Sequence, residues 1–195
     1  MTGDTKQPLT AGRLAAEAPD YFLRVQAILD ELGVPQALCA SRALPVQEEA
    51  RELELVEVGE NGREYLLIPP AAAAWRSLRA AAQADGIALK IISAFRSVDR
   101  QAEIVREKLA RGLTLAAIFS SSAPPGYSEH HTGRAVDVGT PGVPALEEDF
   151  EDTPAFRWLI ANAARFGFAL SFPRDNPHGY VYEPWHWCYR PPDGA

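Results

Sequence analysis

The pattern of apolar, capping and helix-forming residues along the chain predicts four helices. Apolar side chains recur three and four positions apart from Phe22 to Leu32, which predicts an amphipathic helix over residues 20–32. An alanine-rich run, or an N-terminal capping residue before a helix-forming stretch, predicts three more. These three are 71–85, 98–110 and 153–166.

Short runs of apolar, β-branched and aromatic residues predict strands between these helices. Two of the runs flank Asn61-Gly62, a dipeptide typical of tight turns, and so predict a hairpin. The predicted strands are 53–58, 65–68, 87–93, 135–138 and 168–172, with two further segments, 180–183 and 185–189, on either side of Pro184. The stretches 34–50, 120–133 and 139–152 are predicted to be irregular or loops. Because helices and strands mix without a regular βαβ repeat, the sequence predicts an α+β single domain with a mainly antiparallel sheet flanked by helices.

Composition excludes several classes of protein. The chain has 195 residues, of which 47% are hydrophobic and 23% charged, which is typical of a globular domain and not of a disordered or coiled-coil chain. No run reaches the roughly 18 apolar residues that a membrane span needs. The net charge is −7 and no basic tract occurs, so we expect no nucleic-acid partner. Cys39 and Cys188 are too few for a disulfide framework and lack the spacing of a metal-binding pair.

The N-terminus bears on the compartment. It shows no basic segment followed by an apolar core, the pattern of a secretory signal. We therefore expect a cytoplasmic protein, or a periplasmic or extracellular one if a leader is missing.

The candidate chemistry is concentrated in the last third of the chain. A hydrolytic zinc site needs three ligands from His, Asp or Glu, an open position for water, a nearby carboxylate base and a cation that faces the developing oxyanion. His130 and Asp137 are candidate ligands from a loop and the strand after it, and His186 is a candidate third ligand. Each alone is a weak signal, because a single histidine is more often a hydrogen-bonded core residue.

Two further residues complete this candidate set. Glu183 lies three positions before His186. On a regular strand, two side chains at this spacing would point to opposite faces. A bend at Pro184 would turn both side chains inward. Arg96 lies at a predicted strand-to-helix turn, where site residues are common, although an isolated arginine there is more often a surface or ion-pair residue.

Five separated blocks occur together in one order. They read SAFRSxxxQ, PGxSEHxTGxAxDV, WL, FGF and EPWHW. The set resembles the zinc D-alanyl-D-alanine carboxypeptidases related to the vancomycin-resistance D,D-peptidases, a group that also includes L,D-carboxypeptidases and endolysin peptidases. The resemblance covers about residues 90–190 and implies a hedgehog/D,D-peptidase-like fold.

The resemblance also implies roles for individual residues. His130, Asp137 and His186 match the three zinc ligands, Glu183 matches the catalytic base, and Arg96 matches the arginine that contacts the substrate carbonyl and the tetrahedral intermediate.

Other positions take lesser roles. Ser128 and Gln101 match positions that help to hold the end of the peptide. Tyr127, beside Gly126, is a candidate wall of the cleft. His131 occupies a slot that is often glutamine in similar sequences, so we do not count it as a ligand.

The resemblance implies a Zn2+-dependent carboxypeptidase. It would remove the C-terminal D-alanine of a peptidoglycan peptide or muropeptide with a metal-activated water, without an organic cofactor. Three alternatives remain open: an L,D-carboxypeptidase, a dipeptidase or endopeptidase of cell-wall peptides, and a non-catalytic zinc-binding module. The last is disfavoured because the chain keeps both Glu183 and Arg96. A metal-free domain that binds carbohydrate does not explain the two histidines and Asp137.

The resemblance also suggests a division of the chain. Residues 1–60 are predicted to be an N-terminal extension with one helix, packed on or flanking the core, and residues 61–195 the catalytic domain. The oligomeric state is left open.

Overall fold

The computed structural model describes residues 14–41 and 45–190. Residues 1–13 of the predicted N-terminal extension lie outside this range. Twelve regular elements occur in the described part of the chain: α1 (Leu14–Glu31), α2 (Gln36–Ser41), β1 (Glu54–Val58), β2 (Glu64–Leu67), α3 (Pro69–Ala84), β3 (Lys90–Ser93), α4 (Val98–Ala110), α5 (Leu115–Ser120), β4 (Ala135–Gly139), α6 (Pro154–Asn162), β5 (Phe168–Leu170) and β6 (His186–Tyr189). Three short 3-10 turns add to them: Glu129–Thr132, Glu148–Asp152 and Ala163–Phe166.

A four-stranded sheet forms the centre of the fold. Its order is β3-β4-β6-β5, and all neighbouring strands are antiparallel. Every residue of β4 is buried, although the strand contains Asp137 among its apolar residues. The structure therefore confirms the predicted α+β class, and it places a buried carboxylate in the middle of the sheet.

The larger of two apolar cores packs against this sheet. Trp75 and Leu78 of α3 are almost fully buried there, together with Val136 of β4. The Trp75 ring meets the Phe168 ring edge-on, with centroids 6.1 Å apart. This core fixes the strands that carry the candidate ligands.

A second core joins the N-terminal helix to the helix that precedes the candidate site. Val25 and Leu29 of α1 pack with Val98 and Val105 of α4 and with Phe119 of α5. The stripe predicted for α1 is therefore confirmed from Val25 onward, where α4 and α5 cover it, whereas Phe22 at its start is 45% exposed.

The predicted boundary at residue 60 falls inside a hairpin. β1 and β2 pair antiparallel, and the turn contains Gly62 with φ of +78°, within a longer loop than the dipeptide alone predicts. The described part of residues 1–60 contributes α1, α2 and β1 rather than one helix. Gln47 and Ala50 donate backbone hydrogen bonds to the carbonyls of Gly126 and His131, at 2.7 and 2.8 Å. The N-terminal part is thus bonded directly to the segment that carries the first candidate ligand.

The main departures from the predicted elements are short helices. α2 follows Pro35 in a stretch predicted to be irregular, since proline is also favoured at the start of a helix. α5 begins after Thr114, whose hydroxyl accepts from the Ala117 N–H at 3.2 Å and so caps the helix. Six residues are too few to show a helical period in the sequence.

Two other boundaries differ. The predicted helix 153–166 ends at Asn162 and continues as a 3-10 turn, and β5 is shorter than predicted. The segment 180–183 forms no strand. In the described ranges, no helix combines the length and apolar character that crossing a membrane requires.

Replacing Gly126 with alanine should destabilise the protein strongly. A Cβ at this position would overlap the Val25 side chain of α1, and φ is +87°. Gly112 is a matched control, because its φ is +86° and a Cβ there meets nothing within 4 Å. We expect Gly112→Ala to cost about 1–2 kcal/mol from backbone strain alone, and Gly126→Ala to cost about 1–3 kcal/mol more from overpacking. Urea unfolding of both variants measures the difference, and equal losses would show that α1 does not pack tightly here.

Candidate metal centre and active site

Three elements bring the candidate ligands together. His130 lies in the 3-10 turn Glu129–Thr132, which begins after Ser128, whose hydroxyl accepts from the His130 N–H at 3.3 Å. Asp137 and His186 face each other directly across the antiparallel pair β4 and β6. Cross-strand partners of this kind place their side chains on the same face of the sheet.

The ligand atoms converge on one point. His130 Nε2 lies 3.2 Å from Asp137 Oδ2, and His186 Nδ1 lies 3.0 Å from Asp137 Oδ1. One ligand atom from each of the three residues lies within 4.8 Å of the other two, and each residue is at least 95% buried. Two imidazoles and one carboxylate, with a cavity beside them, fit the donor set of a catalytic zinc site.

The remaining ring nitrogens fix the orientation of both imidazoles. His130 Nδ1 donates to the Ala94 carbonyl at 2.8 Å, which leaves Nε2 free to ligate. His186 Nε2 donates to Glu129 Oε2 at 3.0 Å, which leaves Nδ1 to face Asp137. Such second partners commonly set the tautomer and rotation of a metal-ligating histidine.

Glu129 contacts the candidate ligand His186, although the sequence reasoning did not single it out. Besides His186, it accepts from the Ser171 hydroxyl at 2.5 Å, and Arg190 lies 3.8 Å away. Although burial opposes its charge, the hydrogen bond from His186 lowers the pKa of Glu129 to about 2. Its position directly before His130 was the only signal in the sequence.

Without a metal, the cluster holds a proton. Burial disfavours a charged His186, but its hydrogen bonds to Asp137 and Glu129 raise its pKa to about 10. Burial likewise opposes the charge of Asp137, yet contacts with His130 and His186 hold the pKa of Asp137 far below its usual range. His186 is thus an imidazolium between two carboxylates in the metal-free protein.

Glu183 reaches the same site through a turn. The His186 N–H donates to the Glu183 carbonyl at 3.1 Å, so Pro184 takes the second position of a four-residue turn, which suits its fixed φ. This is the bend that the sequence predicts. Glu183 Oε2 lies 3.8 Å from His186 Nδ1. Burial is the largest influence on this carboxyl and raises its pKa to about 7.

Arg96 is held from three directions. Its backbone N–H donates to the His130 carbonyl at 3.2 Å, and its carbonyl accepts from His131 Nδ1 at 2.6 Å. Its Nη1 donates to Gln101 Oε1 at 2.8 Å. Burial lowers the pKa of this guanidinium, with Asp137 and Glu183 opposing the shift. The cation therefore faces the metal ligands in a fixed position.

Gln101 lies behind Arg96 rather than in the cavity. It is 1% exposed, and the other end of its amide donates to the Ala123 carbonyl at 2.8 Å. The sequence reasoning placed this residue on the end of the peptide. Because both ends of the amide are engaged by the protein, the structure assigns it to holding Arg96.

A cavity of about 390 Å³ joins these groups. The three ligands, Glu183 and Arg96 line it. The two remaining predicted contact residues, Tyr127 and Ser128, line it as well. Ser122 and Leu146, from two of the stretches predicted to be loops, also line it.

His131 points away from the cavity, as the sequence analysis expects. It is fully buried, donates from Nδ1 to the Arg96 carbonyl and accepts at Nε2 from the Gly126 N–H at 3.1 Å. Burial lowers the pKa of His131 to about 4. It is a neutral histidine that ties Arg96 to the loop before His130.

His131→Gln should make the stability of the protein less sensitive to acid. His131 has a pKa of about 4 when folded and an ordinary value of 6.5 when unfolded. The unfolded chain therefore binds the proton first, and the free energy of unfolding falls as the pH drops from 6.5 to 4, by up to about 3 kcal/mol. Glutamine keeps a donor and an acceptor but does not titrate.

Chemical denaturation of metal-free protein across this pH range measures the effect. His178→Gln serves as the control, because His178 is half-exposed and lies outside the cluster. A His131→Gln profile that parallels the wild type would contradict a buried neutral His131.

Comparison with known proteins identifies relatives of this chain. The D-alanyl-D-alanine carboxypeptidase of Enterococcus faecalis is 33% identical over 148 residues, which are 71% of this chain. The chain spans about half the length of that relative, at 52%.

Two solved structures share the fold. The LdcB LD-carboxypeptidase, from a study of peptidoglycan recognition, has a TM-score of 0.65 and 31% identity, covering 74% of this chain and 71% of its own. A mutant of the vancomycin-resistance D,D-pentapeptidase VanY in complex with Zn(II) has a TM-score of 0.57 and 33% identity, covering 75% and 82%.

A family model gives the broadest assignment. The model described as VanY, D-alanyl-D-alanine carboxypeptidase, matches residues 64–192, about two thirds of the chain. This stretch contains all three candidate ligands, Glu183 and Arg96. The chain therefore belongs to the VanY D-alanyl-D-alanine carboxypeptidase family.

Proposed function

We propose that this protein is a zinc-dependent carboxypeptidase that removes the C-terminal D-alanine of peptidoglycan peptides. The observation that carries the proposal is the buried cluster of His130, Asp137 and His186, with Glu183 and Arg96 in the same cavity. Family membership supports the reaction, and a VanY relative crystallised with Zn(II) supports the metal.

The residues present fit zinc. His130 Nε2, a carboxylate oxygen of Asp137 and His186 Nδ1 would hold it. When bound, zinc supplies a Lewis acid that polarises a carbonyl and makes water a better nucleophile near neutral pH.

Glu183 is suited to move the proton. Its carboxylate takes a proton from the attacking water, whose oxygen adds to the last peptide carbonyl. When the C–N bond breaks, Glu183 gives the proton to the leaving amine, so the products are a shortened peptide and free D-alanine. A pKa of about 7 in the metal-free protein matches the exchange of a proton near neutral pH.

Arg96 stabilises the charge that develops on the carbonyl oxygen. Gln101 holds one end of its guanidinium, and the side chain lines the cavity. A donor that is fixed before the reaction begins stabilises an oxyanion without reorganising.

Product analysis tests the proposal. Zinc-loaded protein is incubated with an equal mixture of a muropeptide pentapeptide ending in D-Ala-D-Ala and the tetrapeptide, and the products are weighed by mass spectrometry. Loss of one alanine from the pentapeptide alone supports the D,D-carboxypeptidase. No cleavage of either peptide would contradict terminal hydrolysis and favour an endopeptidase, a dipeptidase or a binding module.

One observation favours a second candidate. LdcB, the LD-carboxypeptidase, has a higher TM-score to this chain than the VanY structure, 0.65 against 0.57. An L,D-carboxypeptidase would shorten the tetrapeptide to the tripeptide in the same experiment.

A further inference from the structure

A lysine that none of the assigned roles uses lies in the wall of the active-site cavity. Lys108, in the last turn of α4, is half-buried and lines the cavity that also contains Arg96 and Glu183. Its ammonium donates to the Ser122 hydroxyl at 2.9 Å. An ammonium has three donors, so this hydrogen bond leaves two of them.

Lys108 has no acidic partner in the described ranges, unlike its neighbours on α4. Arg106 contacts Glu31 at 2.9 Å, and Arg100 contacts Glu103 at 2.9 Å. Among the described residues, no carboxylate oxygen lies within 4.0 Å of the Lys108 ammonium. Burial is the largest influence that lowers its pKa, and the nearby cations Arg96 and Arg111 lower it further. A partly buried cation beside another cation is stabilised when an anion enters the cavity.

The anionic group that fits beside Lys108 is a carboxylate. A peptide whose last bond lies at the metal cluster places its own C-terminal carboxylate one residue beyond the bond that is cleaved. The cavity offers Lys108 and the Ser122 hydroxyl as donors for it. Asp137 and Glu183 also line the cavity, and their carboxylates would repel such a group.

We propose that Lys108, together with Ser122, binds the C-terminal carboxylate of the substrate and thereby restricts this site to terminal residues. The inference rests on the proposed function and refines it: the ligand class is a peptide with a free C-terminal carboxylate. Lys108 is a specificity-determining residue in this account, whereas the bond-breaking groups remain Glu183 and Arg96.

A structural role is the competing explanation. The hydrogen bond to Ser122 would then only anchor the loop after α5, as the bond from Gln101 to the Ala123 carbonyl does. A structural lysine affects all substrates equally. A carboxylate-binding lysine affects only those substrates that carry the carboxylate.

The test compares two peptides that differ in one group. One ends in D-Ala-D-Ala with a free carboxylate, and the other ends in D-alaninamide. We expect zinc-loaded wild type to prefer the carboxylate, and Lys108→Met to lose about 10- to 100-fold in kcat/KM on that peptide alone, as expected for a hydrogen bond to a charged group. Lys108→Arg should keep part of the preference. Arg111→Met is the matched control, because Arg111 is an exposed cation at the same end of α4.

Three results would overturn the proposal. They are equal cleavage of both peptides by the wild type, an equal loss on both peptides in Lys108→Met, and no change in Lys108→Met. Melting temperature and zinc content show whether each variant is folded and loaded.

A binding measurement keeps this proposal separate from the proposed function. If the wild type cleaves neither peptide, calorimetry with the zinc-loaded Glu183→Ala protein compares their affinities. A preference for the carboxylate that disappears in Glu183→Ala/Lys108→Met supports the subsite. Equal affinities of the two peptides for the Glu183→Ala protein would refute it.

Discussion

Glu183→Gln should lower kcat by about 10²- to 10⁴-fold, the range typical of a lost general acid–base group. Glutamine has nearly the same shape but cannot accept the proton of the attacking water or return it to the leaving amine. KM should change little, because the carboxyl acts on water and the leaving group rather than on substrate binding. Steady-state kinetics on the pentapeptide measures both constants.

Two controls show whether a loss of activity in Glu183→Gln comes from the missing carboxylate. The zinc content of Glu183→Gln should stay at the wild-type level, since the three ligands do not include Glu183. Glu64→Gln removes an exposed carboxylate on β2 and should leave the kinetics unchanged. Wild-type turnover in Glu183→Gln would rule out Glu183 as the base.

Zinc should bind more tightly as the pH rises, by about 100-fold from pH 7 to pH 9. In the metal-free protein His186 keeps a proton with a pKa of about 10, because Asp137 and Glu129 both accept hydrogen bonds from it. Nδ1 must lose that proton to ligate a metal, and below pH 10 each bound zinc therefore releases one proton from this residue. The affinity then increases about tenfold per pH unit. Competition against a chelator of known pH dependence measures the slope.

Glu129→Gln is the informative variant for this slope. It removes one of the two carboxylates that favour the imidazolium, so the pKa of His186 should fall and the slope should flatten at a lower pH. A zinc affinity in the wild type that does not change between pH 7 and 9 would contradict a protonated His186 in the metal-free site.

The sequence predicted the candidate metal ligands because they lie in separated blocks whose order resembles a known family. His130 and Asp137 lie seven positions apart in one block, and the Pro184 bend between Glu183 and His186 follows from the fixed φ of proline. The pairing of β4 with β6 was not predictable from either strand alone, since register depends on the whole sheet. The structure supplies this part by placing Asp137 opposite His186.

Residues that act through others were harder to predict. Glu129 is 57 positions from His186 in the chain, and the sequence gives no sign that the two side chains meet. Gln101 was identified by its block, but its burial behind Arg96 depends on the packing of α4 against the loop after α5. Lys108 lies in none of the five sequence blocks.

The fold was predicted best where elements are long. The apolar stripe predicted α1, an N-terminal capping residue predicted α4, and the mixture of helices and strands without a βαβ repeat predicted the antiparallel α+β arrangement. The short helices α2 and α5 lack enough turns to show a period. The elements that pack against α1 could not be predicted, because an apolar stripe indicates that a helix face is buried but does not identify the element that covers it.

A zinc titration of D-alanine release tests the central claim most directly. Metal-free protein is mixed with the pentapeptide, and free D-alanine is measured as zinc is added. If His130, Asp137 and His186 hold the one zinc that the reaction needs, the rate rises with zinc and reaches a plateau at one zinc per chain, and His186→Ala shows no such rise. D-alanine release that is unaffected by zinc, or equal release in His186→Ala, would contradict the account.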